Sequence, residues 1–192
     1  QDVCEYLAAT QEGASIAELS ALCKLAGKDV KEEAIQAVLD GVKECFAERS
    51  DGRFVLAHSS IRTGILASSV RKQEVLKNYA EYRKAQELTD QWSVRGLTTA
   101  LIQADEKETL IDLVISMAQP DKKQFYYPVA MELFTYIYAN GNKWIEAVGK
   151  DVQASGRTNE DKLNFVNFFA FQVWDCFVGI PKEALYKKRL AE

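Results

Sequence analysis

The chain has 192 residues, 47% hydrophobic and 27% charged, enough to bury a sizeable core in one domain or two small ones. Lys and Arg total 24 against 28 Asp and Glu, a net charge of -4, which removes any bulk attraction to nucleic acid or anionic lipid. No run approaches the ~18 apolar residues that span a bilayer, and no signal-peptide pattern is visible.

The four cysteines (Cys4, Cys23, Cys45, Cys176) stand in apolar helical contexts without metal-ligand spacing. Buried free thiols in a reducing compartment, and a cytoplasmic location, are therefore expected. The chain starts at Gln1 and ends in a helical pattern, which suggests a piece of a longer protein.

Residues 2–11 place Val3, Tyr6, Leu7 and Thr10 on one helical face, and Gly13 ends that helix. Ser15 with Glu18 forms an S-x-x-E capping box that opens a second helix through Leu25. Its apolar face is Ile16, Leu19, Leu22 and Cys23, and Gly27 is its stop. Asp29 with Glu32 predicts a cap for a third helix of about fifteen residues, with Ile35, Val38, Leu39 and Val42 inward. Two short runs, Cys45–Arg49 and Arg53–Ala57, then flank Ser50-Asp51-Gly52, and Asp-Gly between such runs signals a β-hairpin. Three helices and a hairpin in this order predict a winged helix over residues 1–66.

A winged helix either reads DNA or moves as part of a larger switch. Charge separates the two. The third helix and its edges set Lys28, Lys31 and Lys43 against Asp29, Glu32, Glu33, Asp40 and Glu44. In the hairpin, Glu48 and Asp51 offset Arg49 and Arg53. A recognition helix must approach phosphates, so specific DNA binding is not expected.

The hairpin is followed by Phe54-x-x-x-His58-x-x-Ile61-Arg62-x-x-x-Leu66. This string resembles the end of the winged-helix domain in signal-transduction ATPases of the STAND class, the NACHT and NB-ARC relatives. Those domains close with a hydrophobic strand, a histidine and an arginine-bearing helix. The resemblance implies that His58 matches the histidine of the Met-His-Asp motif, which touches the phosphates of bound ADP and holds the switch off. Ala57 and Ser59 stand where that motif has methionine and aspartate. Any ATP or ADP would belong to a neighbouring domain of the parent protein, with no cofactor in this chain. Read from the residues alone, His58 is a capping or half-buried histidine with a satisfied ring. Ser59 or Ser60 is an N-cap for the next helix. Neither serine has a base and an orienting acid at recognisable spacing, so no nucleophile is expected.

Beyond Ile61 the pattern is helical throughout. Ile61–Leu66 begins one helix. Val70–Trp92 reads as one long amphipathic helix, with Val75, Leu76, Tyr79, Tyr82 and Leu88 near one stripe and alternating charges on a solvated face. Helices are predicted at about 94–104, 107–118, 124–140, 142–153, 160–178 and 181–191, with Pro128 in a first turn where its missing N–H costs little. Short connections between them suggest stacked helical hairpins of tetratricopeptide-like or HEAT-like type, an arm over residues 67–192.

One predicted helix carries Phe165, Phe168, Phe169, Phe171, Trp174 and Phe177, with only a narrow polar stripe. Such a helix needs cover on several sides. It is either a central core helix or an interface with a protein partner. No phosphate cradle exists: Gly149-Lys150 is followed by Asp151, and Trp144 stands where the first glycine of a P-loop belongs.

The sequence thus predicts a mostly α, non-enzymatic protein. It would be a regulatory and protein-interaction segment of a nucleotide-switched signalling protein. Its expected partners are an adjacent ATPase domain and further helical repeats, with no nucleic acid and no membrane. The alternative is a scaffold of helical repeats plus winged helix, like PCI complex subunits, although those place the winged helix after the helices. A DNA-binding regulator comes third.

Overall fold

The computed structural model describes residues 2–10, 12–88, 91–140 and 143–169. The chain divides into two compact units, residues 1–105 and 106–192. It is mostly helical, with one two-stranded sheet among the described residues.

In the first unit, α1 (Asp2–Ala9) is central, and Tyr6, Leu7, Ala8 and Ala9 are all buried. The capping box that opens α2 (Ile16–Leu25) is formed: the Glu18 N–H donates to Ser15 Oγ at 3.2 Å, and the Ser15 N–H donates to Glu18 Oε2 at 2.9 Å. Leu19, Leu22 and Cys23 are buried as their spacing predicts, while Ile16 is half-buried.

The third helix, α3 (Glu32–Gly41), is shorter than expected. Lys31 is its N-cap and makes no side-chain cap bond, so Asp29 does not cap it. After Gly41 the chain tightens into a 3-10 turn, Lys43–Cys45. Only Ile35 and Leu39 are buried, and Val38 and Val42 face outward at 39% exposure each, because ten residues place a narrower face on the core.

Strands β1 (Phe46–Glu48) and β2 (Phe54–Leu56) pair antiparallel with Phe46 opposite Leu56. The Asp-Gly signal works as expected. Gly52 takes φ +74, open to glycine, and its N–H donates to the Arg49 carbonyl at 2.9 Å. On its other edge β2 meets the α1–α2 connection, where Ala14 and Phe54 exchange backbone hydrogen bonds of 3.0 and 2.9 Å.

The chain continues through α4 (Ser59–Ser68), α5 (Lys72–Lys84) and α6 (Gln91–Ala104). The helix predicted over Val70–Trp92 ends early, at Lys84, and the one predicted from about residue 94 starts at Gln91. Val75, Leu76, Tyr79 and Ala80 of α5 are buried, as are Val94, Leu97, Ala100 and Leu101 of α6. α5 packs on α1, α2 and α6. Two helices placed in the arm by the sequence thus lie in the same compact unit as α1–α4.

The second unit contains α7 (Lys107–Ser116), a 3-10 segment Pro120–Phe125, α8 (Tyr126–Asn140), α9 (Lys143–Ala154) and α10 (Asn159–Asn167). α7 meets α9 and α10, and α8 meets α9. Leu110, Ile111, Val114, Val129, Leu133, Val148 and Phe165 are buried in it. Thr158 and Asp161 form a second capping box, at the start of α10. The predicted helix 181–191 lies outside the described residues. Among the described residues no helix is long and apolar enough to cross a membrane.

Candidate functional site

His58 closes the hairpin segment. Its extended backbone (φ -137, ψ 139) makes it the N-cap of α4, and its carbonyl accepts from the Ile61 N–H at 3.1 Å. The side chain makes no cap bond and is exposed. This corrects the residue-level expectation of a half-buried ring, and also the cap at Ser59 or Ser60, which are instead the first two residues of the helix. A helix start leaves N–H groups without intrahelical partners, and here the His58 side chain does not take one.

One turn further, Arg62 reaches back to α1. Its Nε–H donates to the Ala8 carbonyl at 2.7 Å, at a helix C-terminus where orphan carbonyls and the helix dipole favour a cation. Burial pulls the guanidinium below its ordinary pKa, against the opposing influence of Tyr79 and Glu12.

The same unit holds a network of charges that the sequence did not reveal. Arg53, next to β2, donates to Glu18 Oε1 at 2.9 Å and to the Gly13 carbonyl at 3.1 Å. Arg83 of α5 is only 7% exposed; its Nε–H donates to the Tyr79 hydroxyl at 3.0 Å, and its other nitrogens lie 3.8 Å from Glu12 and from Glu18. Gly96 of α6 makes room for it, since a Cβ there would sit 3.3 Å from Arg83 Nε. Burial pushes the Tyr79 phenol well above its usual pKa, and nearby Glu12 adds to that. Only the Tyr79-to-Arg83 spacing of one helical turn was available to hint at the network. Glu12 and Glu18 come from positions far away in the chain.

α3 contains Glu32, Glu33 and Asp40, all exposed, and no Lys or Arg between Glu32 and Gly41. In the second unit a cavity of about 580 Å³ lies between α7 and α10, lined by Asp112, Ser116, Gln119, Arg157, Asp161 and Asn164 among others. Arg157 bridges Glu108 at 2.8 Å and Asp112 at 2.6 Å along this cavity.

Of the aromatic series, Phe165 and Phe168 are buried and Phe169 is half-buried. Phe168 meets Tyr126 edge-on at 5.8 Å, and Phe165 lies 4.8 Å from Phe169. Phe171, Trp174 and Phe177 lie outside the described residues. The cysteine expectation holds for Cys23, whose thiol burial pushes up in pKa, but Cys4 and Cys45 are only half-buried. Cys176 lies outside the described residues. Among the described residues no group of three His, Cys, Asp or Glu side chains is placed to hold a metal.

Comparison of the chain with models of protein families, with curated proteins and with solved structures finds no match.

Proposed function

We propose that the chain is a non-catalytic regulatory and protein-interaction segment, whose first unit works as a STAND-type winged helix against a neighbouring ATPase domain. The carrying observation is His58: exposed, directly behind β2, and at the N-cap of a helix to which its side chain makes no cap bond. An imidazole beside a helix N-terminus is chemically suited to a phosphate presented from outside. The nucleotide would be held by the neighbouring domain, since this chain has no P-loop. Movement of the winged helix relative to that domain would then follow exchange of ADP for ATP, as a rigid-body switch.

The second unit is assigned to partner binding. Leu163 and Val166 of α10 are 58% and 57% exposed while Phe165 between them is buried, so this helix carries apolar surface on more than one side. The scaffold alternative keeps the same helices and hairpin but requires no nucleotide.

The test uses the whole protein encoded with this chain. An ATPase domain with a P-loop is expected upstream of residue 1, and His58→Ala should speed release of a fluorescent ADP analogue by about tenfold, the equivalent of one charge-assisted hydrogen bond. An upstream region of helical hairpins, or unchanged ADP release, would transfer the assignment to the scaffold reading. By calorimetry, the 192-residue chain alone should show no submillimolar ADP binding.

A further inference from the structure

Between Leu39 and Val75 no side chain is buried, although every residue in that stretch is described. The interval includes the hairpin and α4. Its apolar residues Phe46, Phe54, Val55, Leu56, Ile61, Ile65 and Leu66 are all only half-buried. The helices on either side of it are different: Ile35 and Leu39 of α3, and Val75, Leu76 and Tyr79 of α5, are at most 2% exposed.

Polar contacts hold this stretch in place, and they converge. Arg49 Nη1 donates to the Glu12 carbonyl at 3.2 Å. Arg53 reaches Gly13 and Glu18. Phe54 exchanges backbone bonds with Ala14. Arg62 reaches Ala8. All four land between Ala8 and Glu18, on the end of α1, its connection to α2 and the first turn of α2. Both ends of the stretch are irregular backbone. The 3-10 turn Lys43–Cys45 precedes it, and Ser69-Val70-Arg71 follows, with Val70 95% exposed. The far end is pinned separately, by Ser69 Oγ donating to Glu5 at 2.8 Å and by Arg71 paired with Asp2.

We infer that Phe46–Ser68 is a strap that opens as one unit from α1 and the α1–α2 connection while the helical core stays folded. Local stability follows buried apolar contact, and this segment has the least in its unit. Its polar tethers exchange for water at modest net cost on opening, unlike a packed core. The hinges are the two irregular connections, and what opening bares is the side of α1 that α4 covers. The inference does not depend on the nucleotide reading. It would hold equally for a scaffold protein.

Native-state hydrogen exchange on the whole chain, resolved by residue, tests it. Amides of β2 and α4 should exchange at least about 100-fold faster than those of α2 and α5, through an opening whose dependence on denaturant is shallower than that of global unfolding. Arg62→Ala should speed strap exchange a further tenfold or so and leave α2 and α5 unchanged. Arg49→Ala, at an exposed side chain with little risk to folding, should speed it about threefold. One common exchange rate for strap and core, rising with denaturant, would overturn the inference. So would tether variants that accelerate both regions equally.

Discussion

Gly13 is where residue identity constrains the fold most tightly. Its φ is +85, and a Cβ there would lie 2.5 Å from both the Phe54 carbonyl oxygen and Val55 Cγ1. Gly13→Ala therefore combines an unfavourable backbone with a clash against β2. A loss of at least about 2 kcal/mol is expected from urea unfolding midpoints, and an unshifted midpoint would mean that β2 does not pack there. Asp2 sets a pH limit. The hydrogen bond from Lys28 at 2.6 Å, helped by Arg71, holds its carboxyl below the ordinary carboxylate range. The folded state thus binds this proton less readily than the unfolded one. The stabilisation is complete above the unfolded pKa, near 4, and is lost as pH falls through the lower folded value. Asp2→Asn should flatten the stability profile below about pH 4, measured by urea titrations across pH. The capping role of Glu18 was legible because Ser15 is three residues away. Its pairing with Arg53, 35 residues on, was not, since composition does not say which distant charges meet.

At the scale of elements, local signals succeeded where they were self-contained. Ser15-x-x-Glu18 and Asp51-Gly52 each specify a cap or a turn within four residues, and both are formed. Periodicity alone did less well. It carried the helix of α5 on to residue 92, past its end at Lys84. It also put Val38 and Val42 inward, because an apolar pattern does not show where the core ends. The acidic character of α3 came through more strongly than the sequence suggested, since the lysines counted with it lie outside the helix. A duplex titration in about 150 mM salt should give no specific complex, and a nanomolar complex with a steep salt slope would contradict this.

For the whole molecule, periodicity gave a mostly helical chain, and the described residues are mostly helical. The sheet is small because only one hairpin signal exists, and it is formed. Where the chain divides was harder to see: nothing in the sequence marks the dependence of α1 and α2 on α5. Tyr79 and Val75 are fully enclosed, so a fragment ending at Leu66 leaves the core of α1 and α2 open. Residues 1–66 alone should show little cooperative thermal unfolding by circular dichroism, whereas residues 1–105 should unfold in one sharp transition. A cooperative 1–66 fragment would show that α5 is dispensable.

The unburied interval from Asp40 to Glu74 also bears on how this protein can change over generations. Side chains there answer to no enclosing core, so most replacements should pass without loss of fold, and the turn at Ser50–Gly52 should accept inserted residues. Lineages could rewrite the outer surface of the hairpin and α4 while Arg53 and Arg62 stay in place. Recognition by that surface could then diverge faster than the helices beneath it.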